Sequence, residues 1–295
     1  MAIINPGEIP TKDLHQFLLA IVSPRPIAFV STISKDGLNN LAPFSFFNCF
    51  SSNPPILVFS ANRRVSDGST KDTLANIMET HECVINAVSH DIVRQVAVCS
   101  CDFESGVSEF TQSGLTPIGS DLVRPPRVAE SPASMECKVT EVIPLGDQGG
   151  AGNLIICNVL RIHVKDEIIN ERQRIEPDAI DLMGRMGRTY YTRASGKSIH
   201  SIIQNYQPVP VGYEALPSFF KTNKLLTAND LGGLAGMTAF PTESEITTFR
   251  NEVEINAAIH SADGYITLHH YAQRAIEDNR PIDAAKALII AQTLK

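Results

Sequence analysis

The stretches IAFVSTI at 27–33, KDG at 35–37 and NLAPFSFFNCF at 40–50 decide the fold. The first run is apolar and β-branched, as a strand buried in a sheet requires, and Asp36-Gly37 is a turn pair whose glycine accepts positive φ without a steric clash. Residues 40–50 read as the returning strand, so 27–50 is expected to be a β-hairpin. Pro54-Pro55 interrupts the pattern, and ILVFS at 56–60 follows as a buried apolar strand.

Outward from this core, KDTLANIMET at 71–80 changes period. Asp72 or Thr73 stands at its cap position, and Leu74, Ile77 and Met78 fall on one helical face. CVINAV at 83–88 and the runs at 135–142 and 153–164 read as strands, and EFTQSG at 109–114 as a short helix stopped by glycine. Between the last two strands lie Gly146, Gly149, Gly150 and Gly152. A phosphate-cradling loop would open a helix directly after its glycines, but a strand follows here, so a hairpin loop is expected. About six or seven strands with short helices predict a mainly β fold, a Greek-key or split β-barrel rather than a doubly wound sheet.

The last third turns helical after QPVP at 207–210. Residues 242–261 read as one helix, opened by a capping box from Thr242 to Glu245, with Ile246, Phe249, Val253, Ile255 and Ile259 on its apolar face. Helices at 265–278 and 282–293 follow. The expected domains are a β-barrel over 1–206 and a C-terminal helical extension, an α appendage, over 207–295.

Composition bounds the function. With 43% hydrophobic and 19% charged residues the chain is of ordinary globular type, and its net charge of −7 argues against a nucleic-acid partner. No apolar run approaches the roughly 20 residues of a membrane span, and residues 1–11 lack a basic stretch followed by an apolar one. A cytoplasmic protein, not bound to membrane, is expected. The six cysteines form no disulfide framework and are expected to be reduced and buried. No His-x-x-x-His pair occurs, and adjacent His269 and His270 diverge by about 100° on a helix, so no metal site is expected.

Four stretches together point to a ligand: SPRP at 23–26 leading into a strand that ends Val30-Ser31-Thr32, the aromatic and polar run 40–53, SANRR at 60–64, and KDT at 71–73. Amides, asparagines and serines suit the edge of a planar heterocycle, aromatics its faces, and Arg, Lys, Ser and Thr a phosphate tail. Taken singly each has a plainer reading. Phe44, Phe46, Phe47 and Phe50 suit a barrel core, Arg63-Arg64 a solvated loop, and Lys71-Asp72-Thr73 an ordinary helix start.

SPRPIAFVST at 23–32, NLAPFSFFN at 40–48, SSNPP at 51–55, KDT at 71–73, RPPRVAESP at 124–132 and DLMGRMGRTYY at 181–191, in that order, resemble the flavin reductase-like family, which includes flavoredoxin-like proteins. The resemblance covers about residues 10–196 and not the C-terminal part. It implies the FMN-binding split barrel, FMN as cofactor, NADH or NADPH as possible electron donor, and a homodimer. Carried onto this sequence, it places Asn48, Cys49, Phe50, Ser51 and Ser52 along the isoalloxazine edge, chiefly through backbone N–H groups. Ser31 and Thr32 meet the ribityl chain or ring, Ser60, Arg63, Lys71 and Thr73 meet the phosphate, and Asp72 is a further cofactor-binding residue. Tyr190 or Tyr191 closes the site from a partner chain. His163 resembles a strand histidine near the nicotinamide pocket of some members, the one candidate catalytic residue; a half-buried strand histidine without such a duty fits it equally. Arg185 suits a nicotinamide phosphate or an acidic neighbour. The activity implied is an oxidoreductase, an NAD(P)H:flavin reductase or FMN-dependent electron transfer; the alternative is an FMN-binding electron carrier or storage protein without nicotinamide turnover.

Overall fold

The computed structural model describes residues 1–104, 106–204 and 207–294. They form two compact units, Met1–Ile199 and His200–Lys295. The boundary expected from the sequence falls at residue 206, which lies outside the described residues.

The first unit opens with helix α1 (Thr11–Ile21) and continues with β1 (Ala28–Ile33), β2 (Asn39–Phe44), β3 (Phe47–Ser52) and β4 (Pro55–Ser60). Then come α2 (Asp72–Thr80), β5 (Glu82–Asn86), α3 (Val93–Val98), α4 (Glu109–Ser113) and the short β6 (Pro117–Ile118) and β7 (Arg127–Val128). The long pair β8 (Ala133–Pro144) and β9 (Asn153–Val164) follows, then α5 (Pro177–Ile180), β10 (Leu182–Arg185) and β11 (Tyr191–Ala194). Seven strands make one antiparallel sheet in the order β2-β1-β5-β8-β9-β4-β3.

That order makes the barrel. β2 and β3 are the two edges of the sheet, yet only Ser45 and Phe46 separate them in the chain. A link of two residues reaches at most about 10 Å, so the sheet must curl until its edges come together at that corner. The edges are not paired with each other, and the barrel is split there. Residues 40–50, expected as a single strand, are therefore two strands. The link is pinned from both sides: Ser60 N donates to Phe46 O at 2.8 Å, and Arg25 Nε donates to Ser45 Oγ at 3.4 Å.

β1 explains its unbroken apolar run, because both of its faces are covered. Ala28 and Val30 join Phe44, Phe59, Ile85 and Ile155 in the barrel interior, where Leu74 and Ile77 of α2 also pack. Phe29 faces outward into a second cluster with Leu41, Val96 of α3 and Phe110 of α4. Four cysteines, Cys83, Cys99, Cys137 and Cys157, are buried and all six are free thiols. Cys49 and Cys101 are exposed, against expectation; Cys49 sits on an edge strand with a pairing partner on one side only.

The second unit contains α6 (Gly212–Ala215), α7 (Ser218–Lys221), α8 (Ala228–Ala235), α9 (Glu243–Arg250), α10 (Val253–Ile259), α11 (Gly264–Glu277) and α12 (Pro281–Gln292). Its core is rich in alanine: Ala272 and Ala275 of α11 and Ala284, Ala285, Ala287 and Ala291 of α12 are buried, and such small side chains let helices approach closely. The capping box at Thr242 and Glu245 is present, with Thr242 N donating to Glu245 Oε2 at 2.7 Å. The expected helix over 242–261 is broken after Arg250: Glu252 is extended (φ −62, ψ 141) and starts α10 afresh.

Candidate functional site

At the end of β1, a buried polar network ties strand to helix. Asn40 Nδ2 donates to Thr32 Oγ1 at 3.0 Å and to Thr73 Oγ1 at 2.9 Å, and Asn76 Nδ2 donates to Thr32 Oγ1 at 3.1 Å. Thr32 and Thr73 are fully buried. The pairing Thr32↔Asn40 sets the first contact, and the i, i+3 spacing of Thr73 and Asn76 puts both on one side of α2.

Above this network opens a cavity of ≈ 230 Å³, whose wall includes Arg64, Lys71, Asp72, Thr73, Asp102 and Glu109. Lys71 is the residue before α2, in extended conformation, and no side chain caps that helix. First-turn N–H groups and the helix dipole therefore favour an anion there. Burial pushes the Lys71 ammonium below its ordinary range, and its Nζ stands 5.5 Å from the centre of the Phe44 ring.

The acidic groups of the wall are largely accounted for. Asp102 accepts from Arg64 Nη2 at 2.8 Å, and this bond holds its carboxyl below the usual range. Burial pushes Glu109 the other way, towards its neutral form, while Oε2 accepts Leu41 N at 2.8 Å. In the same loop Arg63 Nε is buried without a hydrogen-bond partner, and its Nη1 donates to Gly68 O at 3.1 Å.

The glycine-rich β8–β9 loop braces this region. Arg63 N donates to Ala151 O at 2.9 Å and Gly150 N to Arg63 O at 3.1 Å. A Cβ on Gly149 would come within 2.9 Å of Val65 O, so only glycine lets the two loops close.

The cavity thus brings together Lys71, Asp72 and Thr73, with Thr32 one asparagine away. It does not include Ser31, whose hydroxyl donates to Pro126 O on the other face of β1, as alternation dictates. Ser60 Oγ is bonded to Asn62 Oδ1 at 2.8 Å. Asn48, Cys49, Phe50, Ser51 and Ser52 lie on β3, at the split, with one backbone edge unpaired and a bulge between Cys49 and Ser51. Phe50 is 69% exposed there, and Cys49 N is taken by Asn48 Oδ1 at 2.8 Å. Tyr190 and Tyr191 belong to the β10–β11 hairpin; Tyr190 is exposed and the Arg185 guanidinium stands 4.6 Å from the Tyr191 ring centre. Arg185 also donates to Tyr190 O at 3.1 Å. Asn40, Arg64, Asp102 and Glu109 also belong to the wall without having been assigned a role from the sequence; Asn40 and Arg64 stood in quoted motifs, whereas Asp102 and Glu109 carried no signal.

His163 lies elsewhere. Its Nε2 is 2.6 Å from Glu136 Oε1, on a fully buried carboxylate, and 3.8 Å from Asp121 Oδ2. Glu136 also accepts the N–H groups of Asp121, Leu122 and Val123 at 2.9, 2.6 and 3.2 Å. Its oxygens are saturated and Asp121 is paired with Arg161 at 2.7 Å, so the cluster is satisfied without an ion.

A family model described as "Flavin reductase like domain" matches residues 22–186. The chain belongs to the flavin reductase-like family. An uncharacterised protein from Aquifex aeolicus is 39% identical over 190 residues, covering 64% of this chain and 94% of that one. Among solved structures, nitrilotriacetate monooxygenase component B from Bacillus cereus is 32% identical, covers 67% of this chain and 97% of that chain, and superposes with a TM-score of 0.63. The 2-nitrobenzoate 2-nitroreductase NbaA of Pseudomonas fluorescens gives 27% identity, 70% and 98% coverage, and a TM-score of 0.61. The split barrel is thus the fold of a flavin reductase-like domain, and the family match ends before the second unit begins.

Proposed function

We propose that the barrel holds FMN and works as a flavin-dependent oxidoreductase, passing electrons from NADH or NADPH to the flavin or from the flavin to an acceptor. The cavity at the start of α2 carries this reading. At ≈ 230 Å³ it is below the roughly 300 Å³ at which whole-ligand pockets begin, so it suits the phosphate and ribityl end. Lys71 and the uncapped turn of α2 would hold the phosphate; Arg63, expected there from the sequence, is not among the residues lining the cavity. The open edge of β3 would offer N–H groups to the ring edge. Bound there, FMN would supply a ring able to take a hydride or pass single electrons; the protein's part is to fix its position and exclude water. A homodimer in which Tyr190 and Tyr191 of one copy cover the ring of the other belongs to this reading, supported by the exposure of Tyr190 and Phe50.

Titrating the flavin-free protein with FMN, followed by flavin fluorescence, tests the site. Lys71→Ala and Thr73→Val should each weaken binding about tenfold or more, the worth of a charge-assisted or buried hydrogen bond. Unchanged affinity in both would remove the phosphate assignment. Anaerobic mixing of the FMN-loaded protein with NADH and NADPH then tests turnover. Bleaching of the visible flavin band by either supports a reductase. Bleaching by neither leaves the electron-carrier reading.

A further inference from the structure

A second cavity, of ≈ 430 Å³, opens where β8 begins and β9 ends. Successive pairings Phe29↔Asn86, Asn86↔Ser134 and Ser134↔His163 set it level with the first residues of β1, whereas the α2 cavity adjoins the last. It lies three strands away across the sheet and shares no lining residue with the α2 cavity.

Its lining is unusual for an acidic chain. Arg127, His163 and Lys165 contribute to the wall and no carboxylate does, in a protein of net charge −7. Apolar side chains make much of the remainder, among them Ile118, Ile162 and Val164. Ile162 is 59% exposed, so an apolar surface stands open beside the cations. The two cations, Arg127 and Lys165, and the imidazole of His163 are fixed in place while keeping hydrogen-bonding atoms to spare. Arg127 donates to Gly119 O through Nε at 3.1 Å and Nη2 at 2.9 Å, which leaves Nη1 uncommitted. Lys165 Nζ makes one bond, to Glu130 O at 3.3 Å. His163 is held through Nε2 by Glu136, which leaves Nδ1 as its other hydrogen-bonding atom.

Positive donors over one part of a cavity and aliphatic surface over another select an anion that carries an apolar body. Inorganic phosphate would satisfy the cations and leave Ile118 and Ile162 wet; a neutral hydrocarbon would bury the isoleucines and strand the charges. We propose that this cavity is a second ligand site, separate from the flavin site, for a small organic acid: a carboxylate or phosphate monoester on an aromatic or branched aliphatic group. The inference does not depend on FMN turnover.

Calorimetric titration of the full-length, FMN-loaded protein with benzoate, phenyl phosphate, inorganic phosphate and benzyl alcohol tests it. The first two, which separate carboxylate from phosphate monoester, should give saturable binding by at least one, with inorganic phosphate and benzyl alcohol at least tenfold weaker. Lys165→Gln and Arg127→Gln should each reduce affinity for the organic anion about tenfold, with FMN content unchanged; Lys165→Gln, which gives up a single backbone bond, guards against a folding defect at Arg127. A histidine signal from His163, assigned by comparison with His163→Gln in a nuclear magnetic resonance spectrum, should shift on saturation. Equal binding of inorganic phosphate, unchanged affinity in both charge variants, or no binding by either organic anion overturns the proposal. Competition with NAD+ closes the test: undiminished benzoate binding supports a separate site, and displacement by NAD+ makes the cavity part of a nicotinamide site and overturns it.

Discussion

Asn40 carries more of the candidate site than its place in a polar run suggests. One amide nitrogen serves both Thr32 and Thr73, so Asn40→Ala takes the donor from the buried Thr73 hydroxyl and leaves Thr32 with Asn76 alone. A loss of about 1–3 kcal/mol in stability is expected, read from urea midpoints, together with weaker FMN binding. An unchanged midpoint would mean the network is not closed by Asn40. Lys71 gives a pH prediction. Burial lowers its pKa, and the ammonium is the form that attracts phosphate, so FMN affinity should hold at neutral pH and decline as pH rises towards the ordinary lysine value of 10.5, earlier than a free lysine would. In Lys71→Gln that alkaline decline should vanish. Glu136 works in the opposite sense. Burial alone would raise its carboxyl, but the N–H groups of Asp121 and Leu122 and the bond from His163 outweigh it and hold the group below 4.5. A depressed carboxyl stabilises the fold above its unfolded value and loses that contribution as pH falls through the folded one. Glu136→Gln should therefore lower thermal stability at neutral pH and flatten its further fall into acid. At this scale the sequence showed Thr32, Lys71 and Thr73 through their motifs. Asp102 and Glu109 stayed hidden, because they reach the cavity from a distant loop and from α4 and no local pattern records that.

Elements were legible wherever one physical signal dominated. β1 read as a buried strand because it is apolar without alternation, which two covered faces demand. Residues 40–50 misled for the same reason: apolar and aromatic side chains continue through Ser45-Phe46, while the backbone there turns from one sheet edge to the other. The deciding bonds, from Ser60 N and Arg25 Nε, come from outside the segment. The helix over 242–261 kept its apolar spacing across Asn251-Glu252, so periodicity alone did not show the break. The glycine-rich loop was placed as a hairpin connection, and its bracing of the Arg63–Arg64 backbone is visible only in three dimensions. Gly149→Ala should cost about 1–3 kcal/mol through the clash with Val65 O, a typical overpacking penalty. It should also weaken FMN more than a substitution of equal destabilisation in the second unit. Equal effects from the two would show that the loop supports the fold but not the site.

Among the described residues the two units have hydrophobic clusters that share no residue: two in the barrel unit, around Phe59 and Ile85 and around Phe29, and one in the helical unit, around Phe220, Leu234 and Leu288. A domain needs its own core to fold alone, and each unit has one. Every residue placed at the α2 cavity, along β3, and at the second cavity lies in Met1–Ile199. A chain ending at Ile199 should therefore fold cooperatively and bind FMN within about threefold of the full-length affinity, a difference below about 1 kcal/mol. Thermal unfolding of the full chain should show two transitions, of which the shorter chain keeps one, and added FMN should raise only the retained transition, since a ligand stabilises only the unit that binds it. Loss of FMN binding in the shorter chain, with its melting transition intact, would give the helical unit a direct part in the flavin site. Loss of the transition itself would show that the barrel needs the second unit to fold.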